Sequence, residues 1–197
     1  MSMTTMSAVS TYLVQTLGGF FLTLVILRFL LQLVKADFYN PISLFIVNTT
    51  QLVSSPIRAL LPPFRSFDVA SLVLAIFIQW MIIQLTYTIN NLGVVNFFIA
   101  ISWGFVGVLS VILNIYMYGL LATIIISWIA PQSQHPAITL INQIIYPAME
   151  PFRKIIPSLG MIDLSPMLFF IVLNVIDYFI YGIATELMLP SHIVVGI

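Results

Sequence analysis

The sequence predicts an all-α membrane protein with four transmembrane helices, arranged as two parallel repeats of two spans each. Three observations indicate this class. Of the 197 residues, 61% are hydrophobic and 6% are charged, and the mean hydropathy is +1.14, whereas a soluble domain carries about 25% charged residues. Apolar runs long enough to cross a bilayer occur in four places. The second half of the chain also matches the first half at a shift of 95 residues, without a gap.

Composition and charge exclude several classes of function. Six cations balance six anions, so no overall charge favours nucleic acid or another highly charged partner. The absence of cysteine excludes disulfides, iron–sulfur ligation and covalent haem attachment. No basic residue precedes Arg28, so we expect the first apolar segment to stay in the mature protein and not to act as a cleaved signal peptide.

Matched prolines and charged residues carry the repeat. The matched pairs are Pro41/Pro136, Pro56/Pro151, Arg58/Arg153, Pro62/Pro157 and Asp68/Asp163. These residue types fix the backbone or carry charge. Both copies therefore retain the backbone shape and the charges of the connection between their spans, and not only their hydrophobicity. Because each copy contains two spans, both copies enter from the same side of the membrane. We therefore expect a pseudo-twofold axis along the membrane normal.

The four spans are predicted at residues 9–34, 69–89, 104–129 and 164–188. The third span is ambiguous, because residues 94–129 carry no charge and form one predominantly apolar run that is too long for one span of roughly 20 residues. Shifting the first span by 95 places its counterpart at 104–129. Residues 92–103 then form an interfacial lead-in, with Trp103 at the water boundary. The two repeats accordingly occupy 9–91 and 104–188.

Each repeat has a long connection between its spans, Lys35 to Asp68 in the first and Ala130 to Asp163 in the second. In both, apolar residues recur at helical spacing after a matched proline, which suits the first turn of a helix. We therefore expect each connection to hold a short amphipathic helix in the membrane interface. Packing of this helix against the end of the bundle is the alternative.

The cations predict the orientation of the chain. Both termini and the middle connection contain no lysine or arginine. Five cations lie in the two long connections: Lys35, Arg58, Arg65, Arg153 and Lys154. By the positive-inside rule, both connections are cytoplasmic and both termini lie on the opposite side.

The repeated motif resembles that of the YggT family of small bacterial membrane proteins, which also occurs in plastids. The second copy, MEPFRKIIPSLGMIDLSP, matches the family pattern at Glu150, Pro151, Arg153, Pro157, Asp163, Ser165 and Pro166. The first copy, SSPIRALLPPFRSFDVAS, departs from the pattern at Ser55, Ala70 and Ser71. The resemblance covers nearly the whole chain and corresponds to the two-repeat form of proteobacteria.

This resemblance implies a bacterial inner-membrane protein without enzymatic activity, and we expect no cofactor. In such a membrane, the orientation predicted from the cations makes both termini periplasmic. Members of the family are associated with osmotic and potassium-related stress responses, with cell-division gene neighbourhoods and with assembly of membrane cytochrome complexes in plastids. Because the first copy departs from the family pattern, the resemblance does not imply that both copies act identically.

The first candidate site is formed by the arginine and the aspartate of each copy. A proline on each side of Arg58 and of Arg153 predicts a stretch too broken to be one continuous helix. Asp68 and Asp163 precede spans two and four, where a carboxylate can cap free N–H groups. In one interpretation the motif is purely structural, and the arginine contacts a lipid phosphate. In the other, each arginine pairs with an aspartate, within its repeat or crosswise, to form a cytoplasmic docking hub. The predicted set is Pro56, Arg58, Pro62, Asp68, Glu150, Pro151, Arg153, Pro157 and Asp163.

The second candidate site is an intramembrane polar set of Asp177, Asn174, Gln79 and Arg28. Ionisable residues within a bilayer indicate function by default. Asp177 lies about 21 Å along its helix from Asp163, whereas Arg28 lies only about 10 Å from the cytoplasmic end of the first span and can snorkel to that surface. This difference in depth argues against their direct contact. We expect Asp177 to be neutral or hydrogen-bonded to neighbouring helices.

The polar residues in the spans have two interpretations. Gln79 and Asn174 match under the repeat, and together with Gln84 and Asn114 they can join helices at roughly 0.6 kcal/mol per hydrogen bond. They can instead line a narrow path for an ion or a proton. The counterpart of Asp177 is Ile82, which makes a poor conduction ring, so the structural interpretation is favoured.

The leading hypothesis is a non-enzymatic inner-membrane scaffold or assembly protein that docks to larger membrane complexes. The sequence contains no nucleophile elbow, phosphate-binding loop or HExxH motif, so it predicts no catalytic residue and no metal site. The alternative is an ion-flux or osmotic-stress component with Asp177 on its path. The expected partners are the lipid bilayer and membrane proteins or further copies of the chain, not nucleic acid.

Overall fold

A computed structural model describes residues 5–155, 163–190 and 192–197 of the chain. The described residues form six helices: α1 Thr5–Leu33, α2 Pro41–Leu60, α3 Val69–Ile89, α4 Phe97–Ile129, α5 Pro136–Ile155 and α6 Ser165–Glu186. Helices α1, α3, α4 and α6 are long and apolar enough to cross a membrane. The predicted all-α class with four spans is confirmed, and the chain is a multi-pass membrane protein.

Short polar side chains set the starts of three helices. The Asn40 side chain accepts a hydrogen bond from the Ile42 N–H at 2.9 Å, just before Pro41 opens α2. Asp68 caps α3, and Asn96 caps α4 by accepting from the Phe98 N–H at 3.0 Å. Each cap satisfies an N–H group that has no partner within its helix.

The four spans pack in a chain of neighbours, α1 against α3, α3 against α4, and α4 against α6. Their facing sides form one apolar core, whose fully enclosed side chains include Leu22, Ile26, Leu30, Leu74 and Leu120. The outer sides expose large apolar residues, as expected for surfaces that face lipid. The core therefore joins both repeats into one bundle.

The two connecting helices pack against the bundle in equivalent ways. Helix α2 contacts α1 and α3, and α5 contacts α4 and α6. The two also meet each other, and the Asn40 side chain donates to the Pro136 carbonyl at 2.8 Å. This packing against the spans corresponds to the alternative interpretation of the connections.

The expectation that proline would break the chain beside each arginine was wrong. Helix α2 continues through Pro56, and α5 continues through Pro147 and Pro151. A proline within a helix removes one N–H donor and crowds the preceding turn. Both helices nevertheless stay continuous because their inner faces are packed, with Ser54 and Met149 buried close to these prolines.

The boundary beyond α2 follows the expected rule. Helix α2 ends at Leu60, before Pro62, which cannot continue a helix. Its counterpart Pro157 lies outside the described residues.

Helix α4 begins earlier than the repeat predicts for its span. It begins at Phe97, within the lead-in of 92–103, whereas the shifted first span begins at Gly104. The Asn96 cap, which is not part of the repeat, determines this start. Trp103 is 7% exposed, and its indole N–H donates to the Leu187 carbonyl at 3.0 Å, at the end of α6.

A segment after α6, which we call the C-terminal segment (residues 189–190 and 192–197), folds back between the spans. Ile193 and Val194 are 2% and 3% exposed and pack against α3 and α4 residues, including Ile83, Ala100 and Trp103. No pattern in the sequence indicates that this segment packs between the spans.

Candidate functional site

Arg58 and Asp68 form an ion pair where α2 leads into α3. The Asp68 side chain is fully buried and accepts hydrogen bonds from the Ser71 N–H at 3.3 Å and the Ser71 hydroxyl at 2.5 Å. Arg58 also donates to the Gln32 Oε1 atom of α1 at 3.0 Å. One polar network therefore joins α1, α2 and α3.

Arg153 and Asp163 form the corresponding pair in the second repeat. The Arg153 Nε and Asp163 Oδ2 atoms are 3.3 Å apart, and the two side chains are 41% and 42% exposed. The Arg153 guanidinium also lies over the Tyr146 ring, 5.0 Å from its centroid. Both arginines thus pair with the aspartate of their own repeat, and not crosswise.

The two aspartates accept from different N–H groups, and this difference has a local cause in the sequence. Ser71 of the first copy corresponds to Pro166 of the second under the shift of 95. Proline has no N–H, so Asp163 instead accepts from the Ser165 N–H at 2.9 Å. Partial burial raises the pKa of the Asp163 carboxyl, but the hydrogen bonds from Ser165 and the charge of Arg153 outweigh it, and the pKa lies below its ordinary value.

A second exposed ion pair lies beside Arg153. Lys154 Nζ is 2.8 Å from Glu150 Oε1, and the two side chains are 74% and 63% exposed. The hydrogen bond from Lys154, with its positive charge, lowers the pKa of the Glu150 carboxyl. Three charged side chains at the end of α5 and Asp163 just before α6 are therefore exposed together, and we call Glu150, Arg153, Lys154 and Asp163 the α5 charge cluster.

Arg28 is buried at the contact between α1 and α2. It donates to the Val47 carbonyl at 3.1 Å, the Thr50 hydroxyl at 2.8 Å and the Gln51 Oε1 atom at 2.7 Å. All three acceptors belong to α2, which covers this part of α1. Arg28 therefore does not snorkel to the surface, because both of its terminal guanidinium nitrogens donate hydrogen bonds inside the protein.

Gln79 and Asn114 bind the C-terminal segment. Gln79 donates to the Val195 carbonyl at 3.2 Å, and Asn114 donates to the Gly196 carbonyl at 3.0 Å. Gly107 makes the approach possible, since a Cβ atom there would lie 2.5 Å from both Gln79 Nε2 and Val194 Cγ1. Irregular backbone between spans needs such internal donors, because lipid offers none.

The predicted intramembrane set is not brought together. Asn174 donates to the Phe170 carbonyl of its own helix at 2.8 Å. Asp177 lies on the outer side of α6 and has no hydrogen bond or ion pair within the part of the chain that the structure describes. The expected hydrogen bonds from Asp177 to neighbouring helices are therefore not formed. Asp177 lines a cavity of about 450 Å³ with Ser110 and Asn114.

Among the described residues, no three His, Asp or Glu side chains are close enough to hold a metal ion.

A family model described as CCB3/YggT matches residues 7–89 and 102–184. The chain belongs to the CCB3/YggT family. Residue 7 corresponds to residue 102, so the family matches reproduce the shift of 95 and confirm the internal repeat. Each match includes two spans and the connecting helix between them, so the CCB3/YggT unit contains its Arg–Asp pair.

Relatives of similar length occur in several bacteria. The chain is 44% identical over 167 residues to the uncharacterized protein PA0392 of Pseudomonas aeruginosa, with 84% of this chain and 85% of the relative covered. It is 34% identical over 170 residues to an uncharacterized protein in the proC 3′ region of Vibrio alginolyticus, covering 85% and 90%. The uncharacterized YggT of Escherichia coli K12 is 30% identical over 169 residues, covering 85% and 86%. No solved structure matches the chain.

Proposed function

We propose that this YggT-family protein is a non-enzymatic scaffold or assembly protein of the bacterial inner membrane, which docks to a larger membrane complex through the α5 charge cluster. The supporting observation is the unequal burial of two duplicated ion pairs. Asp68 is enclosed and fully engaged by its own chain, whereas Arg153 and Asp163 are each about two-fifths exposed. The two copies thus divide a structural role and a docking role between them.

The exposed Arg153–Asp163 pair contributes little to the stability of the fold. Ion pairs of this exposure contribute about 0–1 kcal/mol to folding. Complementary charges on a partner instead add specificity and faster association. The α5 charge cluster offers two cations and two anions in a fixed pattern, which suits a partner surface with the opposite arrangement.

The proposed orientation places this cluster in the cytoplasm. Lys35, Arg58, Arg65, Arg153 and Lys154 all lie in the connections that contain α2 and α5, and the positive-inside rule assigns such connections to the cytoplasmic side. Both termini are then periplasmic. The partner would accordingly be a membrane complex with a cytoplasmic surface close to the bilayer.

Co-purification tests the docking role. The tagged full chain is isolated in mild detergent from its own membranes, with Arg153→Ala and Asp163→Ala as variants. Arg65→Ala is the matched control, because Arg65 is also an exposed cation of a connection but lies outside the α5 charge cluster. We expect Arg153→Ala and Asp163→Ala to lose the partner while remaining folded, and the control to keep it. Retention of the partner by all three variants would refute the proposal.

The ion-flux alternative takes second place. Asp177 beside a polar cavity in the middle of a span supports it. However, the amides of Gln79 and Asn114 bind carbonyl groups of the C-terminal segment, which is the structural role of the two interpretations. The alternative predicts that Asp177→Asn changes potassium or proton movement in proteoliposomes, and unchanged flux would remove its main residue.

A further inference from the structure

The outer side of α6 is the least covered surface of the four spans. In its most apolar stretch, 22% of the residues are buried within the chain, against 44 to 50% for the other three spans. Its main contacts are with α4 and α5, which lie on one side of it. The opposite side of α6 is therefore open along the membrane.

A polar stripe runs along the edge of this open side, next to the cavity between α6 and α4. Asn174, Asp177, Tyr178 and Tyr181 lie within roughly 100° of one another around the helix axis. The two tyrosines are 78% and 64% exposed. Asp177 lies twelve positions after Ser165, about 18 Å along α6 and thus near the middle of the span.

Asp177 needs a hydrogen-bond donor from outside its own chain. The described residues provide it with no hydrogen bond and no ion pair. A carboxyl group that faces lipid at this depth is unfavourable, and intramembrane acids normally face a protein interior or a water-filled cavity. An additional transmembrane helix that covers this side of α6 would remove the unfavourable exposure.

We propose that α6 pairs with α6 of a second copy of this chain, with Asp177 of each copy accepting a hydrogen bond from Tyr181 of the other. The polar stripe contains both the acceptor and the donor, so it is complementary to itself. Two copies with the same orientation in one membrane are related by a twofold axis along the membrane normal, which makes the two α6 helices parallel.

The depth of the two side chains agrees with this pairing. Side chains on an α-helix lean toward its N-terminus, so a long residue covers the surface one turn before its own Cα atom. Tyr181 lies one turn after Asp177, and its ring therefore reaches back to the depth of Asp177. In a parallel pair, this places the Tyr181 hydroxyl of one copy level with the Asp177 carboxyl of the other.

The cavity beside Asp177 provides space for the incoming ring. It measures about 450 Å³ and opens between α4, α6 and the C-terminal segment. Ser110 and Asn114 form a polar wall opposite Asp177. A tyrosine from a second copy can thus approach the carboxyl group without displacing the core of the bundle.

Disulfide cross-linking in native membranes tests the geometry. The chain contains no cysteine, so single cysteines can be introduced without background. Asn174→Cys lies within the polar stripe, whereas Phe179→Cys is 70% exposed before substitution but lies roughly 140° away around α6. We expect oxidation to give a species of twice the chain mass for Asn174→Cys and none for Phe179→Cys. Equal cross-linking at both positions, or an adduct with a different protein, would overturn the proposal.

Substitution of the hydroxyl tests the hydrogen bond without disturbing the fold. Tyr181→Phe keeps the ring, and by symmetry it removes two bonds, each expected to contribute about threefold. The dimer dissociation constant, measured by energy transfer between labelled chains at varying lipid dilution, should rise about eightfold. Asp177→Leu should produce a similar rise, and the double variant should be no weaker than either single variant.

Tyr178→Phe is the matched control. It removes the same hydroxyl from the neighbouring tyrosine, whose ring leans toward the N-terminus to the depth of Asn174, about one turn before Asp177. The dissociation constant of this variant should therefore be unchanged. A dissociation constant that does not respond to Tyr181→Phe, or that responds equally to both substitutions, would contradict the pairing. The result is independent of docking by the α5 charge cluster, all of whose residues precede α6.

Discussion

The carboxylate of Asp68 is held by Arg58 on one side and by Ser71 on the other, so the residue that starts α3 is also bound to α2. Arg58 extends this contact to Gln32 of α1. The corresponding Asp163 also pairs with an arginine, Arg153, but its side chain is about two-fifths exposed. The same pair of residue types therefore has a different environment in each repeat.

Loss of the buried carboxylate should be much more costly than loss of the exposed one. Asp68→Ala leaves Arg58 without its counterion in a mostly enclosed site, and we expect the free energy of unfolding to fall by about 3–5 kcal/mol. Asp163→Ala is the matched variant, with an expected loss of at most about 1 kcal/mol. Unfolding by SDS in mixed micelles measures both. Equal losses would show that burial does not distinguish the two pairs.

The Arg153–Asp163 pair should add a small dependence of stability on acid. Because the folded-state pKa of Asp163 is below its unfolded value, the folded state binds fewer protons than the unfolded state in this range. The contribution of the pair is complete above the unfolded pKa of about 3.9 and is lost as the pH falls through the folded pKa. Its size should stay below about 1 kcal/mol, since both side chains are partly exposed. Unfolding of the native chain and of Asp163→Asn should differ at pH 6 and converge at lower pH, and a constant difference would contradict this prediction.

Arg28 should control the docking of α2 on α1. Substitution of Arg28 by Met keeps much of the apolar stem but removes all three hydrogen bonds to α2, leaving Thr50 and Gln51 without their donor. We expect hydrogen exchange of the α2 amides to accelerate about tenfold or more, because each bond to a charged group contributes about 1.5–3 kcal/mol. Arg65→Met, at an exposed site, should leave the exchange of α2 unchanged.

Gly107 should be required for the C-terminal segment to fit between the spans. Alanine at this position would bring its Cβ atom to 2.5 Å from Gln79 Nε2 and Val194 Cγ1, and overpacking of this kind costs about 1–3 kcal/mol. Gly104→Ala is the matched control in the same helix, since its new Cβ atom would meet its nearest neighbour at 3.4 Å. A cysteine at Val194 should react with a thiol reagent faster in the Gly107→Ala background only. Similar reactivity in both backgrounds would refute the prediction.

Much of the fold could be predicted from the sequence, because hydrophobic length and the repeat are properties of the chain itself. The bounds of α3 agree with the predicted span of 69–89. The start of α4 did not follow the repeat, because Asn96, a local cap outside the repeat, determines it. The continuity of α2 through Pro56 depends on packing against other helices, which the sequence around a proline does not show.

The candidate sites were less predictable, since their partners are distant in the chain. The pairs Arg58–Asp68 and Arg153–Asp163 have a separation of ten residues and could be proposed from the motif. The role of Thr50 and Gln51 as acceptors for Arg28 requires knowledge of how α2 packs on α1. The acceptors of Gln79 and Asn114 are backbone carbonyls near the end of the sequence, and carbonyls carry no signal in residue type.

The placement of the C-terminal segment has a consequence for biosynthesis. Gln79 is inserted into the membrane with the first repeat, but its acceptor at Val195 is translated only after α6. During synthesis, the side-chain amide of Gln79 therefore lacks its final acceptor while more than a hundred residues are added. The spans can settle into their final arrangement only once the ribosome has passed residue 195, so the last step of folding follows translation of the second repeat.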